Sequence, residues 1–206
     1  MPGIDDSPDT SRLLRRTLEG DQAARDRLFA EHRSYLRRVV DLRMDDQLRR
    51  RLDPSDVVQE AQLVGSRRLE DYLRERPMSF RLWLRWIAIE QLANLHRHHV
   101  RTRKRSVCRE VPLTNDTSVA VMSILLQDQP SRHLRRQETA ARVQEALTQL
   151  SESDRQLLLL RHAEELTNEE VAELLGIERA AAVKRHGRAL RRLHDRLQRL
   201  GISSSE

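Results

Sequence analysis

The residues best placed to do chemistry are cations on one helix face. Arg185, Arg188, Arg192, Arg196 and Arg199 follow one another at helical spacing, with Arg179 and Lys184 just before them. Guanidinium groups in such an array can fork onto guanine edges or neutralise phosphates. No paired nucleophile and base stands out beside them, and no glycine-rich phosphate loop is found. The expected chemistry is therefore recognition of a polyanion, with no catalytic residue.

Three elements must position these cations. Thr167-Asn168-Glu169-Glu170 has the form of a capping box, which predicts a helix start at Thr167. Val171, Leu174 and Leu175 form the inner face of that short helix. Gly176 sits where the chain must turn sharply, and Ile177 plugs the joint. The next helix is expected to bury Val183, Leu190, Leu193 and Leu197, leaving its basic side outward. Short helix, tight turn and longer basic helix make a helix-turn-helix, whose second helix enters the major groove. A plain helical hairpin with a solvated basic face would carry the same charges. The coincidence of capping box, glycine and basic face favours nucleic acid.

A second basic stretch lies upstream. Residues 74–105 hold nine Lys or Arg against two acids, a net of +7, and residues 178–199 hold a net of +6. The whole chain of 206 residues carries only +6, so the remainder is acidic at −7. Two cationic patches on an acidic chain suggest two contacts with a polyanion. Within the first patch, Phe80, Trp83 and Trp86 interleave with Arg81 and Arg85. Aromatics among arginines can stack on unpaired bases while the charges hold the backbone. Because Trp83 and Trp86 sit three apart in an apolar stripe, core packing is expected for at least one of them.

Just before that patch, Asp53-Pro54-Ser55-Asp56 predicts a strong helix start. Asp53 suits the N-cap, Pro54 the first helical position and Asp56 the third, beside the positive helix end. Asp56, Gln59 and Glu60 then share one polar side, while Val57, Ala61 and Val64 share another. An acidic strip beside basic helices suits a protein partner better than DNA.

The composition agrees with an all-helical chain. Only six residues are aromatic, glycine and proline number six each, and Leu, Ala, Arg, Glu and Gln dominate. One cysteine, Cys108, excludes an internal disulfide or a cysteine-based zinc site and fits a reducing cytosol. His96 and His99 form only a weak pair, so no metal is expected. The N-terminus is acidic and polar, unlike a signal peptide, and no purely apolar run is longer than the four residues of Leu157–Leu160, too short to span a membrane.

Along the chain, residues 1–10 read as a disordered tail, with helix beginning near Ser11 and broken at Gly20-Asp21, where Asp21 can cap the next helix. The helix from Asp53 should reach about Arg74, residues 76–79 should form a loop, and a further helix should run from Phe80 to His99. Residues 106–136 read as a linker, with a short helix near Val119 to Leu126. Ala140, Val143, Ala146, Leu147 and Leu150 make an apolar stripe, and Ser151 caps another helix with Asp154 three residues on. The expected architecture is all-α: a tail (1–10), a helical domain (11–105), a flexible linker (106–136), a helix-turn-helix domain (137–200) and a tail (201–206).

In this order the motifs resemble sigma factors of the sigma-70 family, in particular the small extracytoplasmic-function (ECF) type. Residues 53–60, Asp-Pro-Ser-Asp-Val-Val-Gln-Glu, are similar to the region 2 helix that grips the clamp coiled coil of the polymerase β′ subunit. Residues 80–88 resemble the promoter-melting segment, and residues 95–99 fall where the family contacts the minus-ten element. Residues 150–155 and 166–193 resemble region 4, which reads the minus-thirty-five element. The resemblance implies a region 2-like and a region 4-like domain directing core polymerase to promoters, without enzymatic activity or cofactor. Asp53, Asp56, Gln59 and Glu60 would bind polymerase. Arg74, Arg76, Arg81, Trp83, Arg85, Trp86, Asn94, Arg97, His98 and Arg101 would serve the minus-ten element. Thr167, Arg179, Lys184, Arg185, Arg188 and Arg192 would serve the minus-thirty-five element. Implied partners are core polymerase, through the β′ clamp and the β flap, promoter DNA and an anti-sigma factor. The implied location is the cytoplasm, on the nucleoid when in holoenzyme. A helix-turn-helix regulator that is not a polymerase subunit is the alternative.

The sequence also departs from the family pattern. The melting helix usually carries an Asn and, four residues on, an Asp; here Glu90 and Asn94 stand there, so Arg97 is the better contact. The second helix opens Glu178-Arg179-Ala180-Ala181-Ala182, where small polar residues are usual.

Overall fold

The computed structural model describes residues 6–99, 142–143 and 145–201. Every described regular element is helical. The chain divides into two compact units, residues 1–112 and 113–206. The expected linker, the short helix near Val119 to Leu126, Cys108 and Arg101 lie outside the described residues.

The first unit is assembled from local helix signals. Helix α1 (Pro8–Leu18) starts on a Ser7 cap with proline at its first position. It begins three residues before the start expected at Ser11, and Thr10 is already buried. Gly20 turns the chain at φ 85°, and the Asp21 carboxylate caps α2 (Gln22–Asp41) by accepting from the Ala24 amide at 3.0 Å. Helix α3 (Asp46–Arg49) is a single turn that sequence periodicity does not reveal. It brings Leu48 under the core beside buried Met44.

Helix α4 (Pro54–Glu75) begins at the expected Asp53 cap, and the cap is reciprocal, since the Asp56 carboxylate accepts from the Asp53 amide at 3.1 Å. Its middle carries Gly65 at a crossing point. A Cβ there would lie 3.1 Å from the Phe29 ring and 3.2 Å from Leu84, so glycine lets α4 approach its neighbours. Gln62 donates to the Phe29 carbonyl across the same contact at 2.8 Å.

Helix α5 (Phe80–His99) is the central element, packed on both α2 and α4. Phe80, Leu82, Trp83, Leu84, Arg85, Ile87 and Ala88 are all buried, which a helix embraced from several sides requires. Phe80 is the hub. Its ring meets Phe29, His32, Tyr72 and Trp83 at centroid distances of 5.8, 5.2, 5.4 and 5.5 Å. The first three contacts are edge-on and the Trp83 contact is tilted, and such ring pairs add to area burial.

In the second unit, residues 142–143 and 145–148 are helical and bury Val143, Ala146 and Leu147. Ser151 caps α6 (Glu152–Leu158) as expected, accepting from the Asp154 amide at 3.2 Å. The helix then widens into a π-helical turn (Leu159–Ala163) that the sequence did not suggest. The turn closes through Glu164, whose amide donates to the Leu159 carbonyl at 3.0 Å. Helix α7 (Asn168–Leu175) starts on the predicted Thr167–Glu170 box. It ends at left-handed Gly176, φ 61°, where the Ile177 and Gly176 amides donate to Ala172 and Glu173. Helix α8 (Arg179–Arg199) follows at once and packs on α6 and α7.

The phase of α8 differs from expectation. Leu193 is buried as expected, but Val183 and Leu190 are 46% and 37% exposed, and Ala182 and Ala189 are buried in their place. Spacing cannot separate the two phases, because Ala182–Ala189 and Val183–Leu190 share one seven-residue offset. Packing decides it: alanines let α8 lie close against α6 and α7, rotated by about 100° from the leucine-centred choice.

Candidate nucleic-acid and partner interface

The helix-turn-helix presents its cations as the sequence anticipated, but they divide by occupation. Lys184, Arg185, Arg188 and Arg191 are exposed on α8. Arg179 pairs with Glu169 of α7 at 2.6 Å, both groups well exposed. Arg192 is different. It reaches back to Asp154 of α6 at 2.6 Å, and that carboxylate is only 12% exposed. Arg192 thus clamps α8 to α6, a consequence of the shifted phase that places it at the edge of the packed arc. The Thr167 hydroxyl oxygen is taken by the capping bond from the Glu170 amide at 3.1 Å.

Beneath the cations, His162 of the π-helical turn meets His186 of α8, with Nε2 atoms 3.0 Å apart. Burial pushes both imidazoles below the usual histidine range, and Arg161 pushes further in the same direction. No local pattern marks this pair, because the two residues are 24 apart.

In the first unit, Asp53, Asp56, Gln59 and Glu60 are all exposed along the first two turns of α4. The Asp53 carboxylate is held below its ordinary range, first by the Ser55 amide, which donates at 2.7 Å. The strip continues into Leu63, 47% exposed, which sequence reading missed. Its position three residues beyond Glu60 was the available signal.

The loop after α4 is held at both ends. Arg76 adopts φ 40°, a left-handed conformation unusual for a non-glycine residue, and its amide donates to Tyr72 at 2.7 Å. The Tyr72 hydroxyl donates to the Met78 carbonyl at 3.1 Å. On the far side, the Asp6 carboxylate accepts from the Phe80 amide at 2.7 Å, capping α5 from 74 residues away. Asp6 therefore has a structural task in a stretch read as tail. Arg74 and Arg76 stay exposed at the loop, Arg74 beside Asp71 at 3.2 Å.

On α5 the predicted nucleic-acid residues separate sharply. Trp83 is 6% exposed and stacks at 4.5 Å on Tyr72, so its assignment to DNA is corrected to the core. Arg85, 3% exposed, is corrected likewise. Core packing expected for one of the two tryptophans falls on Trp83, and Arg85 is buried with it because α2 and α4 both pack on α5. Trp86 is 50% exposed, with the Arg68 guanidinium 5.9 Å from its ring. Arg81 is half-buried, stacked 4.1 Å over Tyr35. Glu90 pairs with Arg68 at 2.9 Å. Arg97 is exposed and donates to Asn94. The His98 side chain and Arg101 lie outside the described residues. Among the described residues, no three His, Cys, Asp or Glu side chains are grouped to hold a metal, and no helix is long and apolar enough to cross a membrane.

Comparison with known proteins points the same way. Residues 140–193 match the family model described as sigma-70, region 4. The RNA polymerase sigma factor YlaC of Bacillus subtilis (strain 168) is 31% identical over 98 residues, which cover 48% of this chain and 51% of that protein. The chain thus spans about half the length of that relative. The solved structure of CnrH in complex with the cytosolic domain of CnrY shares the fold, with a TM-score of 0.52 at 24% identity over 92% of this chain and 97% of that one. The match to sigma-70 region 4 falls on residues 140–193, which hold the whole turn and most of the basic helix.

Proposed function

We propose that the protein is a transcription initiation factor of the ECF type, which directs core RNA polymerase to promoters. One observation carries the reading: a region 4 helix-turn-helix with free outward cations shares a chain with a helical unit whose exposed strip is acidic. The Asp53, Asp56, Gln59 and Glu60 strip, extended by Leu63, docks on the β′ clamp, where apolar contact supplements charge. Lys184, Arg185 and Arg188, with Arg179 and Thr167 at the groove edge, bind the upstream element as duplex.

Arg74, Arg76, Trp86, Asn94, Arg97, His98 and Arg101 serve the downstream element, and the 76–79 loop takes up an unstacked base. Unstacking costs a few kcal/mol, which stacking and phosphate contacts offset. Arg81 and Arg192 act mainly through Tyr35 and Asp154, holding the surfaces in place. Two modules on one chain raise each other's effective concentration on a single promoter. The protein works by binding in the cytoplasm, and the bond-making belongs to the polymerase. An anti-sigma factor and the β flap are the further partners the family resemblance implies.

Run-off transcription with purified core polymerase tests this. Promoter-specific transcripts that disappear in a Lys184→Ala, Arg185→Ala variant still bound to polymerase are the expected result. A gel shift with no polymerase association would instead identify a regulator acting outside the holoenzyme.

A further inference from the structure

Helix α8 carries an exposed surface that the fold does not explain. Exposed Ala180, Val183, Lys184 and Arg188, with half-buried Gly187 among them, lie on the side away from buried Ala182, Ala189 and Leu193. Val183 is 46% exposed although it stands in the first half of the helix, where a second helix meets base edges. Gly187 weakens a helix interior, yet nothing lies within 4 Å of the Cβ it lacks. Its smallness serves no packing among the described residues. The surface is small and apolar at its centre and rimmed by cations, with no acidic residue between Arg179 and His194. A polyanion with apolar groups on its floor fits that surface. The major groove is such a site, because each thymine presents a C5-methyl there.

We infer that Val183 reads a thymine methyl in the upstream promoter element, on a helix face kept shallow by Ala180 and Gly187 so that the valine reaches the groove floor. The inference rests on the proposed promoter-binding function and adds a specificity residue to it. Lys184 and Arg188 flank the valine and hold phosphates. The absence of Cβ at Gly187 lets the helix sit deeper than an ordinary side chain would allow.

The test uses the full chain bound to core polymerase. Upstream elements are selected from a randomised duplex library, and each enriched thymine is then replaced singly by deoxyuridine, which lacks only the methyl. At one position the replacement is expected to weaken binding about fourfold, the equivalent of one buried methyl group. Val183→Ala is expected to lose about as much on the thymine duplex and nothing further on the deoxyuridine duplex. Equal losses on both duplexes, or no enriched thymine, overturn the inference. A Val183→Ala chain that selects DNA normally but associates poorly with core polymerase also overturns it and makes the valine a protein contact. Absence of any selected upstream element with the unaltered chain would instead defeat the promoter-binding function itself.

Discussion

Two glycines inside helices give opposite predictions under the same substitution. Glycine in a helix interior costs about 0.8–1 kcal/mol relative to alanine. At Gly187 the added Cβ meets nothing within 4 Å, so Gly187→Ala should recover the whole of that difference. For a helical module of this size, about 1 kcal/mol raises the melting temperature by roughly 4–8 °C. At Gly65 the same methyl arrives 3.1 Å from the Phe29 Cε1 atom and 3.2 Å from the Leu84 Cδ2 atom, both side chains of the packed first unit. Overpacking costs typically about 1–3 kcal/mol, so the propensity gain is cancelled or reversed. Calorimetry on the full chain, with hydrogen exchange to assign each transition to its unit, reads both effects. Gly187→Ala should also weaken promoter binding while it stabilises, because the new methyl occupies groove space. If Gly65→Ala stabilised as much as Gly187→Ala, the close crossing of α4 over α2 and α5 would be wrong. If Gly187→Ala raised stability and left promoter affinity untouched, the open face would have no role in recognition.

Other perturbations separate structural cations from binding ones and test the two units. Arg192→Ala strands the nearly buried Asp154 carboxylate and should destabilise the second unit by about 1–2 kcal/mol, against less than about 0.5 for Arg191→Ala, measured by exchange protection of α6 and α8; equal effects would discard the clamp. Below its melting range, Arg192→Ala should keep more promoter affinity than Arg188→Ala in a salt-titrated binding assay. His162 and His186 titrate below the ordinary 6.5 when folded, so the unfolded chain binds protons first. The second unit should therefore lose stability as pH falls from about 6.5 toward the lowered folded values and level off beneath them, and His162→Gln, His186→Gln should flatten that dependence. Asp6→Ala should cost about 1 kcal/mol and speed amide exchange in the first turn of α5, with α4 unchanged, as loss of a helix cap would do.

How much was legible follows from where each instruction resides in the chain. Caps act over three or four residues, so the Asp53, Ser151 and Thr167 starts and the Gly176 stop were all readable before any contact was known. The acidic strip on α4 was readable for the same reason: one helix carries it whole. What needed the folded chain was anything set by a distant neighbour. Arg85 looks like a surface group, and which of Trp83 and Trp86 is core stays open, until α2 and α4 pack on α5. Asp6 looks like tail until the Phe80 amide appears 74 residues away. The phase of α8 shows the limit most plainly, since two seven-residue stripes differ by one position and only the depth of packing chooses between them. That choice has a functional result. By burying alanines, α8 frees Val183 for the outside and turns Arg192 toward Asp154. A core built on Val183 and Leu190 would have done the reverse. The residues that hold α8 in place therefore also select which of its side chains face outward, and on the proposed function specificity would be set partly from the helix's buried side.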